Sequence, residues 1–239
     1  MEQAAKKGNT TFGRVLCIII ALCICVLALL LSLQAIVFSQ SHFKTAFFMY
    51  NIAESVGTDD VTLMNITRTL IDYLALRRDN IDMRAEIFGQ DQEVFTQLEK
   101  EHMVDVQDLF VIGFRIRDAL FIAIPALLIL ALAVLRRNFL HVMARAQLWV
   151  TLLIVIAIAG IAVFFIIDFT SAWHALHLVL FDNDKWLLVP DMHVLIRIVP
   201  EEFFAYTGIK IGIYTVSTWV LLLLASAAVT FATKRKRQA

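Results

Sequence analysis

The chain has 239 residues, enough for one or two soluble domains, yet 60% of them are hydrophobic and the mean hydropathy is +0.76, which places it in the membrane class. Its zero net charge hides an uneven division, since residues 1–14, 136–147 and 234–239 hold ten of the 21 bases and one of the 21 acids, Glu2. Bases clustered beside apolar runs satisfy the positive-inside rule and exclude a nucleic-acid footprint, while Cys17, Cys23 and Cys25, all in the first apolar run, exclude a disulfide framework in the outer loops.

Residues 1–14 read as a cytoplasmic N-terminus and 15–38 as a first transmembrane helix. Val15–Phe38 is longer than a signal-peptide core and lacks a small-x-small cleavage site. Ile20-Ala21-Leu22-Cys23 also fails as a lipobox, because Leu22 is too large.

Residues 39–118 read as a long extracytoplasmic loop. Phe43, Phe47, Phe48 and Tyr50 open it as an aromatic cluster suited to headgroup anchoring. Leu63, Ile66, Leu70, Tyr73 and Leu74 repeat at helical spacing, which predicts an amphipathic helix over residues 61–76. The alternation Ile81, Met83, Ala85, Ile87 suits a strand or hairpin. Phe95, Leu98, His102, Asp105 and Leu109 then recur at three- and four-residue steps, a helix that carries His102 and Asp105 on its apolar face and runs into the next span.

Residues 119–135 predict the second transmembrane helix, kinked at Pro125, 136–147 a basic cytoplasmic loop, and 148–167 the third helix. Residues 168–208 return outside with His174–Phe181, Trp186–Val189 and Val194–Val199, apolar pieces too short to cross and expected at the interface. Pro200-Glu201-Glu202-Phe203-Phe204 reads as a helix start with acids in its first turn. Residues 209–232 give the fourth transmembrane helix, with Gly208 and Gly212 as a helix-packing pair, and 233–239 a basic cytoplasmic tail. The expected fold is an all-α membrane architecture, four transmembrane helices with both termini inside and an extracytoplasmic cap formed by the two outer loops.

Chemistry, if present, belongs to the outer histidines. His102 with Asp105 one turn away could form a base and its carboxylate, set against a plain surface pair. His174, His177 and His193 lie in the second outer loop. If that stretch is helical, His174 and His177 share a face and, with Asp182, Asp184, Asp191 and His102, could supply metal ligands, though no H-E-x-x-H spacing occurs. No G-x-S-x-G, P-loop or dinucleotide fingerprint is present, so a covalent serine route is disfavoured and no cofactor is expected.

At His102-Met103-Val104-Asp105-Val106 the chain resembles the bacterial lipoprotein intramolecular transacylases, a family of Gram-positive integral membrane proteins. The likeness extends through Leu176-His177-Leu178-Val179-Leu180-Phe181, Trp186-Leu187 and Leu195-Ile196 to Pro200-Glu201 and Phe203-Phe204. The sequence departs from the family pattern at Leu176, where an aromatic is expected, and at His193, where aspartate is; His174 offers a rival register for the second histidine.

The resemblance implies that the sn-2 acyl chain of a diacylglyceryl-modified lipoprotein moves to the α-amine of its N-terminal cysteine, giving a lyso-form lipoprotein at the outer leaflet. His102 would serve as general base oriented by Asp105. His177 would stabilise the oxyanion or protonate the leaving oxygen, and Trp186, Glu201 and Asp191 are expected at the substrate. The partners implied are lipoproteins and membrane lipid, with no nucleic acid, metal or cofactor. Two other classes compete: a non-enzymatic lipoprotein- or membrane-protein-binding partner, tolerant of histidine changes, and a metal-dependent lipid hydrolase, sensitive to chelators. A claudin-like junction protein fits less well, because the outer loops lack a cysteine pair.

Overall fold

The computed structural model describes the backbone of residues 2–238 and the side chains of residues 10–234. The expectations attached to the charges of Lys6, Lys7, Arg235, Lys236 and Arg237 lie outside those side chains. In chain order the elements are α1 (Glu2–Val37), α2 (Gln40–Met49), α3 (Ile52–Val56), α4 (Asp60–Leu74), β1 (Arg84–Ile87), β2 (Gln90–Glu93), α5 (Gln97–Leu135), a 3-10 turn (Arg136–Asn138), α6 (Phe139–Ile167), α7 (Phe169–Leu180), α8 (Val194–Ile198) and α9 (Glu201–Gln238). Three helical stretches among the described residues are long and apolar enough to cross a membrane: Thr10–Val37, Gln97–Ile167 and Glu201–Lys234. The middle stretch is divided at Arg136, whose left-handed φ of 48° interrupts the helix between α5 and α6.

The chain forms two compact units. The first comprises Met1–Ser32, Arg115–Val163 and Gly212–Ala239. Its interior is a set of side chains at helical spacing: Leu16, Cys17 and Ile20 of α1 pack with Ala131 and Leu135 of α5 and, at the margin, with Val142 and Met143 of α6. Ala21 and Cys25 meet Val150 and Trp219 farther along. Polar side chains link the same helices, as the Gln147 amide of α6 donates to Cys25 Sγ of α1 at 3.5 Å and the Trp219 indole of α9 donates to the Cys25 carbonyl at 3.3 Å. The small-residue seam is at Gly13, where a Cβ would collide with the Leu135 side chain. The expected packing pair Gly208 and Gly212 has no such neighbour, since a Cβ on either would meet nothing within 4 Å.

The second unit comprises Leu33–Phe114 and Phe164–Ile211. Asp59 starts α4 by accepting the Val61 and Thr62 amide hydrogens at 2.8 and 3.0 Å, the usual role of an aspartate N-cap. Leu63, Ile66, Leu70 and Tyr73 of α4 are then buried in one core with Phe43 and Phe47 of α2, Ile87 of β1, Leu195 and Ile198 of α8 and Phe203 of α9. The aromatic cluster expected at the headgroups is therefore divided: Phe43 and Phe47 fall on the inward face of α2 and stack toward Phe203, while Phe48 is 89% exposed. The expected hairpin is β1 paired antiparallel with β2, Ile87 opposite Gln90. Gly57 takes a left-handed φ of 76° where the Phe88 ring closes over it, so no larger residue fits.

Candidate active site

One helix start organises the site. Thr96 and Glu99 form a capping box: the Glu99 carboxylate accepts the Thr96 amide at 2.6 Å and its hydroxyl at 2.8 Å, while Thr96 Oγ1 accepts the Glu99 amide at 3.4 Å. The second Glu99 oxygen accepts the Leu195 amide at 2.6 Å. One fully buried carboxylate thus caps α5 and the first turn of α8 together. His102 lies one turn beyond Glu99, outside the apolar stretch 119–135 of the same helix.

His102 is buried, and its ring centroid is 6.4 Å from that of His177 on α7. Phe181 lies edge-on to His102 at 5.2 Å, and Trp173 and Trp186 flank His177 at 4.6 and 4.9 Å. His177 Nδ1–H donates to the Trp173 carbonyl at 2.8 Å, a bond that fixes the tautomer and leaves Nε2 as the basic nitrogen of the neutral ring. His102 Nδ1 is buried without a hydrogen-bond partner among the described residues.

The His102 imidazole is pushed down to about 4, chiefly by burial and then by the nearby His177, with Asp105 acting in the opposite direction. His177 is also held below the usual histidine range, chiefly by burial, against the Trp173 carbonyl that favours its charged form. Both rings are neutral at pH 7.

The two rings open onto a cavity of about 370 Å³ lined largely by apolar side chains, among them Leu70, Met103, Val106, Phe110, Leu188 and Val199. His174 and Trp186 line it too, as does Glu201, whose carboxylate accepts the Thr170 hydroxyl at 2.7 Å. Among the described residues Glu201 is the one carboxylate in the lining.

Other expected site residues stand apart. Asp105 makes no hydrogen bond to His102. Its carboxylate accepts from Asn183 Nδ2 at 3.0 Å and lies 3.8 Å from Lys185 Nζ. Asp191 is exposed and outside the cavity lining, and His193 is committed to its own turn, its Nδ1 accepting the Val189 amide at 2.9 Å. His177 is therefore the second-loop histidine beside His102. Among the described residues no three His, Cys, Asp or Glu side chains gather as a metal-ligand set.

A sequence profile of the lipoprotein intramolecular transacylase Lit family matches residues 18–204. The chain belongs to this family. Membrane-integral Lit structures from Bacillus cereus share its fold: one aligns with a TM-score of 0.73 at 19% identity over 96% of this chain and all of the other. Two more, carrying arginine or alanine at one histidine, align at 0.74 and 0.72 with 18% identity over 100% and 98% of this chain and 99% of theirs. No curated protein sequence matched. Family membership together with the apolar helices identifies a membrane protein of the intramolecular transacylase class.

In this Lit family member two further residues belong to the site that sequence reasoning passed over. Glu99 was legible as T-x-x-E before a helical repeat, a capping signature. His42 lines the same cavity, hydrogen-bonded through Nε2 to Thr207 Oγ1 at 2.9 Å and stacked on Tyr206 at 5.1 Å. Nothing in the spacing around His42 marks it.

Proposed function

We propose that this chain moves the sn-2 acyl chain of a diacylglyceryl-cysteine lipoprotein onto the cysteine α-amine, within one substrate molecule and without a covalent enzyme intermediate. The observation that carries the reading is the pair of neutral imidazoles 6.4 Å apart over an apolar cavity. A nucleophile and an ester already joined in one molecule need positioning and proton transfer more than a protein nucleophile, and effective molarities for well-held groups are on the order of 10⁵ M or more.

An α-amine has an ordinary pKa of about 7.7–8.0, and an apolar cavity favours its neutral form. Glu201 draws the amino group in, and the apolar walls hold the acyl chains. Nitrogen attack forms the N–C bond and leaves an oxyanion on the former carbonyl. His177 Nε2 takes the proton from the attacking nitrogen and returns it to the glycerol oxygen as the C–O bond breaks, so starting from the neutral amine no net proton is consumed. His102 donates a hydrogen bond to the oxyanion, which satisfies a ring otherwise short of a partner.

This allocation reverses the roles suggested by the family resemblance. What supports it is the Trp173 carbonyl, which orients His177 as a base, and the absence of an Asp105 bond to His102. Asp105 contributes through its charge, favouring positive character at His102. Asp191 has no part. The four-span, N-in and C-in topology, with this site at the outer leaflet, follows from the basic segments 1–14, 136–147 and 233–239.

Lipopeptide mass spectrometry on cells expressing the wild type or His177→Ala tests the reading. The wild type should yield N-acylated lyso-form termini, and the variant should leave diacylglyceryl termini. Lyso-form product persisting undiminished in His177→Ala removes that ring from the mechanism.

A further inference from the structure

We propose that the first unit holds a second, non-catalytic lipid site: a slot at the basic ends of α1, α5 and α6 that binds the phosphate and one acyl chain of an anionic phospholipid. The slot is a cavity of about 580 Å³, lined mainly by one face each of α1 and α6 and closed by Leu135 of α5 and Asn138 of the following turn. On α6, His141, Arg145, Trp149 and Leu153 follow one another at four-residue steps, and on α1 Arg14 and Ile18 do the same. Residues four apart on a helix stack on one face. Each face therefore passes from a cation at the end of its apolar run to an apolar side chain one turn deeper.

That order is the profile of an amphiphile with a negative head. Arg14 and Arg145 present two permanent cations to an anionic head, while Ile18, Trp149 and Leu153, exposed at 44%, 55% and 64%, flank the path of a chain. Among the described residues no acid lies in the lining, so a zwitterionic headgroup gains no counter-charge from them. His141 donates to or accepts from Thr233 Oγ1 at 2.9 Å, which fixes its ring against α9 at the slot wall. Basic pockets between membrane helices are recognised sites for anionic headgroups. The site lies wholly within the first unit and does not depend on the transacylase reading.

The test is native mass spectrometry of the detergent-purified full chain with phosphatidylglycerol or phosphatidylcholine added at equal concentration. The wild type should retain phosphatidylglycerol in clear preference. Arg14→Gln/Arg145→Gln should weaken that retention on the order of thirty-fold, the effect of two basic residues near an anionic head. Arg136→Gln/Arg137→Gln removes the same charge outside the slot and should leave retention within about two-fold of wild type, because a diffuse surface field acts less than a direct contact. Ile18→Trp keeps both arginines and fills the apolar floor; it too should lose the lipid, with an unchanged size-exclusion profile. Equal retention of the two lipids, equal loss in both arginine pairs, retention by Ile18→Trp, or displacement of the lipid by inorganic phosphate would each overturn the proposal.

Discussion

At the scale of single residues, the site is a statement about two imidazoles kept neutral by burial. His102 sits near 4, so its ring is almost wholly neutral between pH 6 and 8. Nitrogen-15 spectra of histidine-labelled protein should show no titration of His102 in that window, and a midpoint above 6 would contradict an apolar cavity around the ring. The sign for stability follows: the unfolded ring, with an ordinary pKa near ~6.5, binds a proton that the folded ring refuses. Stability is intact above about pH 6.5 and falls as pH drops toward 4. His102→Ala, losing an oxyanion donor, should lower transacylation by on the order of 10²–10³. A Tm within a few degrees of wild type in the same preparation would separate that loss from unfolding. As candidates, His102, Asp105 and His177 stand out by spacing and motif, but their bond partners do not: Asp105 shares a face with His102 and yet bonds to Asn183, a residue 78 positions away.

Among elements, the amphipathic repeat that predicted a helix over residues 61–76 is met by α4 (Asp60–Leu74), and the helix carrying His102 does continue into the apolar stretch, as α5. Periodicity reports such faces because burial of one side is a local property of the chain. A four-residue step sets Phe43 and Phe47 on one face apart from Phe48, but which face is covered depends on α8 and α9, more than 140 residues later. Glu99 shows the same limit: its capping box with Thr96 is local, its bond to Leu195 is not. Glu99→Ala should strip the ends of two helices of their acceptor and cost about 1–3 kcal/mol, the penalty for leaving buried donors unpaired. Thermal shift of the detergent-purified variant checks this, and an unchanged Tm would mean the carboxylate contributes nothing to the join. Gly13→Leu should similarly lower Tm by driving a side chain into Leu135.

For the whole molecule, composition and charge distribution declared a membrane protein before any motif was consulted, and the Lit family match agrees. The cavity was beyond sequence reasoning, because its walls come from α2, α4, α5, α7, α8 and α9 and its floor is fixed only when those elements pack. The central claim is that this cavity moves an acyl chain within one lipoprotein. It is tested most directly by incubating the purified chain with a synthetic diacylglyceryl-cysteine peptide whose sn-2 acyl group alone is isotopically labelled, then locating the label by tandem mass spectrometry. The label should appear on the cysteine nitrogen of the same peptide, with no free fatty acid. Label released as fatty acid, or found on a second unlabelled peptide in the mixture, would contradict it.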